Sequence, residues 1–370
     1  MERLDKDPAR LEALRARVLE WYARNRRDLP WRKKSDPYGI WISEIMLQQT
    51  RVAVVTKRYR TFLTRFPTLI SLALAHEEEV LALWSGLGYY NRARTLLKTA
   101  KFVAENLGGN LPARAEQLRD LPGIGEYTAA AIASIAHGEP VAVVDGNVER
   151  VICRLAGWNA GSRKGGGAAL RHKIAGLAGR LLDAAHPGDF NQAMMELGAT
   201  VCAPSNPRCL LCPLHVECKT HGEHRTPRRE PLISREAAHA LSVRINHSPG
   251  KHRGLGAREV LLQQRPAHLT VMPGLWELPP LRETSFPEQN LRMTVRHAIM
   301  RVNYYVRIRT VFEDDVEEMT LAEGTRRWVP LGEAAGMALT GLTRKVLLRA
   351  RLMPAMPVDA MALSMDETVS

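Results

Sequence analysis

From residue 9 to about residue 220, apolar residues return every three to four positions, as in LEALRARVLEWYARN, LISLALAHEEEVLALWSGLG and TAAAIASIAHG, with Gly and Pro between the runs. Side chains at that spacing share one face of an α-helix, so the pattern predicts a mostly helical first half. Beyond residue 236 the period changes. ALSVRIN, REVLLQQ, TVRHAIMRVNYYVRIRTVF and TRRWVPL are short, rich in Val, Ile and Tyr, and partly alternating, which predicts strands. Helical spacing returns only in LGEAAGMALTGLTRKVLLRARL. KTHGEHRTPRREPLISREAAH combines Pro, Gly and a block of Arg with few apolar residues, the composition of an exposed linker. The expected organisation is a helical region over 1–220, a linker over 221–236, a smaller α+β domain over 237–352 and a frayed, aperiodic tail over 353–370.

At 370 residues with 45% hydrophobic content, the chain can bury more than one core. No run of eighteen apolar residues exists, and the opening MERLDKDPARLEALRARVLEW is charged throughout, so no membrane span and no signal peptide are expected and the chain is expected to act in the cytoplasm. The formal charge of +13 favours a polyanionic partner, nucleic acid first, over a merely solvated basic surface. In a reducing compartment clustered cysteines point to a metal rather than to disulfides.

Four of the five cysteines fall in CAPSNPRCLLCPLHVEC, at Cys202, Cys209, Cys212 and Cys218, spaced C-x6-C-x2-C-x5-C. Structural zinc sites usually show two short-spaced pairs, whereas a cubic cluster takes one thiolate per iron from irregular spacings. The spacing therefore favours a 4Fe-4S cluster over zinc. Cys153, in RVICRLAGW, reads as a core thiol. Arg208, at the end of the loop between the first two thiols, is either a phosphate contact on a metal-clamped loop or a solvated side chain.

LRDLPGIGEYTAAAIASIA predicts a helix ending near Asp120, a tight turn through Leu121, Gly123 and Gly125, and a second helix from Glu126. Such a turn offers backbone N–H groups at a helix N-terminus to an anion, the helix-hairpin-helix phosphate clamp; the plainer reading is an ordinary turn between helices. Asp145, in VAVVDGNVERV, ends an apolar run, where a carboxylate is often just an N-cap. Glu44, in DPYGIWISEIMLQQT, has apolar neighbours on most faces, and desolvation there would raise its pKa toward that of a general acid. Two carboxylates in unlike environments meet the needs of glycosidic cleavage: one protonates the leaving group and the other stabilises an oxocarbenium-like sugar.

From Leu29 to Cys218, through LPWRKKSDPYGIWISEIMLQQT, WSGLGYYNRAR, LPGIGEYTAAAIAS, VVDGNVERV, FNQAMMELGATVC and the cysteine spacing, the sequence closely resembles the adenine DNA glycosylases of the MutY type, within the endonuclease III superfamily. The resemblance implies two helical subdomains, a six-helix part over about 30–138 and a cluster part from 1–29 and 139–220. It also implies a monomer acting on double-stranded DNA that holds 8-oxoguanine:A or G:A, flipping out the adenine and hydrolysing its glycosidic bond in base excision repair. By the same resemblance Glu44 protonates the base, Asp145 stabilises the sugar cation, and Tyr127 and Asn147 position these groups. Trp31, Arg32, Leu47 and Gln192 shape the adenine pocket, Gln49 and Tyr89 wedge the duplex, and Thr50 and Leu87 contact the lesion strand. Bifunctional relatives have a lysine where this chain has Tyr127, which implies a monofunctional enzyme that leaves an abasic site.

VMPGLWELPP resembles the Gly-Leu-Trp-Glu-Pro segment of the family's Nudix-like, lesion-reading domain, without the acidic metal-binding helix, so no pyrophosphate hydrolysis is expected. Where the family has a Phe-Ser-His loop, this chain reads Ile299-Met300-Arg301. Arg301 can replace part of the lost polar contact, and the departure implies weaker preference for 8-oxoguanine over guanine.

Overall fold

The computed structural model describes residues 7–158, 167–223, 231–246, 258–321 and 324–354. The expected tail from 355 onward, and the middle of the expected linker, lie outside the described residues. Eleven helices precede the first strand among the described residues: α1 (Pro8–Asn25), α2 (Pro37–Leu47), α3 (Val52–Arg65), α4 (Leu69–Ala73), α5 (Glu77–Leu83), α6 (Asn91–Leu107), α7 (Ala115–Arg119), α8 (Glu126–His137), α9 (Gly146–Ala156), α10 (Gly167–Leu181) and α11 (Pro187–Thr200). By compactness the chain divides into one unit of 1–74 with 98–228 and a second of 75–97 with 229–370. The helical pattern expected as one region over 1–220 thus contributes residues 75–97, including α5 and the start of α6, to the second unit.

In the first unit one core forms where α1, α9, α10 and α11 turn their apolar faces inward. Leu14 and Val18, Ile152 and Leu155, Ile174 and Leu181, and Phe190 and Leu197 interdigitate, and three thiols of the cysteine loop pack against them. The start of α2 has a local reason. Asp36 caps α2 by accepting from Tyr38 N and Gly39 N, and Pro37 supplies its preset φ at the first position. The helix ends as Gln49 takes a left-handed φ of 57°. Residues 38–46 of α2 are all buried, so this is an interior helix rather than an amphipathic surface one.

Gly198 on α11 has a steric reason. A Cβ there would stand 2.6 Å from Asn147 Cβ and 2.9 Å from Asn147 O, so the backbones of α11 and α9 meet only because the side chain is missing. We expect Gly198→Ala to destabilise the unit by about 1–3 kcal/mol, measured by urea unfolding, and to displace Asn147.

The second unit holds two sheets. Strand β1 (Ile233–Leu241), which begins inside the expected linker, pairs in parallel with β6 (Val302–Thr310), and β6 pairs antiparallel with β5 (Leu291–Ile299). The other sheet joins β2 (Val243–Ile245), β3 (Arg258–Gln264), β4 (Trp276–Glu277) and β7 (Arg326–Pro330), all antiparallel. Val260 and Leu262 of the second sheet meet Val295, Val306 and Ile308 of the first, and Val346 and Leu347 of the helix Gly341–Arg349 complete the core. An α+β arrangement follows from the alternation of these short strands.

Candidate active site and thiol pocket

Glu44 sits on the interior helix α2 at 5% exposure. Tyr127, on the first turn of α8, donates its hydroxyl to Glu44 Oε2 across 83 residues of sequence. Burial pushes the Glu44 carboxyl up to about 7; the Tyr127 hydrogen bond opposes this, the negative charge of Asp145 adds to it, and Arg32 opposes it. Glu44, Tyr127, Asp145 and Arg32 therefore share one electrostatic neighbourhood. The Tyr127 hydroxyl is itself held well above its ordinary range by burial and by Glu44, so it remains a donor.

Asp145 is the N-cap of α9, and the modest reading of it is correct as far as it goes. Its Oδ1 accepts from Asn147 N at 2.9 Å and Val148 N at 2.7 Å. Its Oδ2 accepts from Asn147 Nδ2 at 2.8 Å. The cap holds the carboxylate in one orientation, which a side chain on a free loop would lack. Arg150 then holds Asn147: its Nη2 donates to Asn147 Oδ1 at 2.8 Å, which turns the amide nitrogen toward Asp145, and its Nε donates to Cys202 O at 2.8 Å. A continuous polar chain thus runs from a thiol-bearing residue to the capped carboxylate.

Two supports escaped the sequence reading. Asn191 on α11, 3% exposed, accepts from Val143 N and donates to Val141 O and Ser134 Oγ, pinning the segment before Asp145 to α8 and α11. Glu196, with its side chain fully buried, receives both Arg27 and Arg32. Burial alone would push its carboxyl up, but the two guanidinium hydrogen bonds hold it below the ordinary value. FNQAMMELGATVC carried both residues, but their partners are distant in sequence, so no local pattern marked either.

The remaining expected residues divide. Trp31, Arg32 and Gln192 line one cavity of about 340 Å³, together with Arg26, Lys34 and Asp189. Leu47, half-buried at the end of α2, does not line it. Gln49 is exposed and Thr50 half-buried beyond α2, where Thr50 N donates to Leu47 O. Leu87 is buried and Tyr89 is 47% exposed with a φ of 48°; both belong to the second unit. Leu121 is buried, while Gly123 and Gly125 are exposed at the turn before α8. Gly123 needs its freedom for a φ of 75°, whereas a Cβ at Gly125 would meet nothing within 4 Å. Among the described residues no contact calls for glycine at 125, and the exposed turn leaves room for a close approach. Arg301 is exposed at the tip of the β5–β6 hairpin beside Met300, whose φ is 53°.

Cys202, Cys209, Cys212 and Cys218 line a single pocket with Arg154, His215 and His221. Burial pushes the Cys212 thiol up to about 12, and the other three thiols are near enough to add to the shift. A positive metal centre removes that penalty, because it binds thiolates. Among the described residues no three His, Cys, Asp or Glu side chains form a group that could hold a metal ion. Cys153 is fully buried in the core of the first unit, with its thiol pushed up to about 11, apart from this set. Arg208 is exposed and donates to Thr200 O at 2.6 Å.

Residues 42–171 match the family model described as the HhH-GPD superfamily base excision DNA repair protein. The chain is 48% identical over 225 residues to an adenine DNA glycosylase of Homo sapiens, covering 58% of this chain and 41% of that one. It is 39% identical over 306 residues to an adenine DNA glycosylase of Arabidopsis thaliana, covering 72% and 47%. The chain thus spans less than half the length of these curated relatives. Among solved structures it is similar to a thermostable thymine-DNA glycosylase, with a TM-score of 0.51 and 32% identity over 56% of this chain and 95% of that one. No helix among the described residues is long and apolar enough to cross a membrane.

Proposed function

The chain belongs to the HhH-GPD superfamily of base excision DNA repair proteins, and we propose that within it this protein is a monofunctional adenine DNA glycosylase. The observation that carries the proposal is the pairing of a buried Glu44, its carboxyl raised to about 7, with a capped Asp145 in the same neighbourhood. The adenine DNA glycosylases at 39–48% identity supply the base.

In the proposed reaction Glu44 gives its proton to the adenine ring as the glycosidic electron pair moves onto the base, and Asp145 stabilises the cationic sugar that results. Water then adds to the sugar carbon and gives a proton to the Glu44 carboxylate, leaving an abasic site. Tyr127 keeps Glu44 aimed, and has no amine with which to form the Schiff base that leads to strand cleavage. The open Leu121–Gly125 turn and Arg208 are assigned to the DNA backbone, Gln49, Thr50, Leu87 and Tyr89 to the duplex around the flipped base, and Trp31, Arg32, Leu47 and Gln192 to the adenine. The four thiols are assigned to a 4Fe-4S cluster, which when bound ties residues 202–218 into one rigid loop.

A duplex with a single 8-oxoguanine:A pair, incubated with the protein and then heated in alkali, tests this reading. Scission at the adenine only after alkali is expected. Scission before alkali would mean a lyase, and scission at the thymine of a G:T duplex instead would favour a thymine-directed enzyme like the solved structural relative. With Ile299-Met300-Arg301 at the hairpin tip, single-turnover rates on 8-oxoguanine:A and G:A are expected to differ by less than about tenfold, since one hydrogen bond to a neutral partner is worth about 0.5–1.5 kcal/mol. A much larger preference would show that Arg301 or another group restores the lost contact.

A further inference from the structure

Two residues that line the thiol pocket each carry a buried nitrogen with no hydrogen-bond partner. Arg154 and His215 both line it, and both Arg154 Nε and His215 Nδ1 are buried and unpaired. The rest of Arg154, at 3% exposure, is occupied. Its Nη1 donates to Ala203 O at 2.7 Å and approaches Cys202 O and Cys202 Sγ at 3.3 Å each, and its Nη2 donates to Pro204 O at 3.0 Å. These bonds fix the plane of the guanidinium and therefore the direction of the Nε–H bond. His215 lies three residues from both Cys212 and Cys218, and its ring stacks on His221 at 4.5 Å between centroids, so it too is held in place.

A guanidinium Nε is only ever a donor, and a buried donor without an acceptor is destabilising. Arg154 Nε is such a donor, and His215 Nδ1 is one in the tautomer that carries its proton there; both residues line a pocket walled by four sulfurs, and the protein itself provides neither nitrogen with an acceptor. The sulfur atoms of an iron-sulfur cluster are that acceptor: the cluster with its four thiolates carries net negative charge, and N–H groups directed at its sulfurs are one of the known determinants of its potential.

We propose that Arg154 Nε and His215 Nδ1 are N–H···S donors to the cluster and that they raise its one-electron reduction potential. The proposal rests on the 4Fe-4S reading above. The added electron makes the cluster more negative, so a donor stabilises the reduced form more than the oxidised one. Arg154 also ties the Cys202–Pro204 backbone, whereas the His215 side chain makes no hydrogen bond among the described residues and is the cleaner probe. Both are positioning residues for the cluster and take no part in the reaction at the base.

The test uses the full chain purified without air, with iron and sulfide quantified before its midpoint potential is measured. His215→Phe is expected to keep its iron and sulfide and to show a more negative midpoint. About a tenfold rise in the oxidised-to-reduced ratio at fixed potential corresponds to about 59 mV for one electron. His215→Asn, which retains an N–H, is expected to recover part of the shift. Iron–sulfur stretching bands should move on transfer to D₂O in the unaltered chain and move less in His215→Phe. A fully loaded His215→Phe with unchanged midpoint and unchanged isotope response overturns the proposal. A chain holding zinc, or neither iron nor sulfide, overturns the cluster reading and this proposal together, a result distinct from a loaded cluster whose potential does not move.

Discussion

Glu44→Gln is expected to abolish adenine excision while making the first unit more stable at pH 8. Loss of the general acid alone is worth about 10²- to 10⁴-fold in rate. Stability moves the other way because the carboxyl holds its proton more tightly in the folded chain, at about 7, than in the unfolded chain, where it has the ordinary value of 4.5. Above pH 7 the folded state must either bury a charge or give up that advantage, so removing the ionisable group stabilises by about 3 kcal/mol there. The gain shrinks as pH falls from 7 and is gone below about 4.5, where both folded and unfolded carboxyls are protonated. Urea unfolding of the two proteins from pH 4 to 8 measures it. In the unaltered chain the same group should make the excision rate fall about tenfold per pH unit above about 7. A variant that excises adenine normally, or whose stability difference does not depend on pH, would remove Glu44 from the role of acid.

Asp145→Asn separates the cap from the chemistry. An Asn side chain keeps an oxygen for Asn147 N and Val148 N, and Asn is a good N-cap, so the helix should survive with a loss of no more than about 1–2 kcal/mol. The change removes the negative charge and sets an amide nitrogen against Asn147 Nδ2, which Arg150 prevents from turning away. Excision is expected to fall by about 10²- to 10³-fold or more, the scale seen when a preorganised electrostatic group is lost. Asp145→Ala should lose the cap as well and unfold at lower urea. If Asp145→Asn kept its rate within tenfold, the capping role would be the whole of its function.

The pattern of apolar positions was enough to place helices before strands, because side-chain period is a local consequence of backbone geometry. The turn at Leu121–Gly125, the cap at Asp145 and the close cysteines were legible for the same reason: each depends on residues a few positions apart. Glu44 stood out as a carboxylate in an apolar helix, but its raised pKa depends on how completely α2 is covered. Nothing local marked Asn191 or Glu196, whose partners lie some 50 and 164–169 residues away.

The amino-acid sequence by itself therefore determined the order of elements, the local turns and caps, and the residue types available for chemistry, since these follow from propensities and short-range spacing. Only the tertiary structure decided that Tyr127 meets Glu44, that Arg150 links the thiol loop to Asp145, that residues 75–97 group with the second unit, and that two residues lining the thiol pocket each keep a buried, unpaired nitrogen. Those relations are set by which helix faces pack together in a close-packed core, where removing one side chain, as at Gly198, decides how near two backbones come.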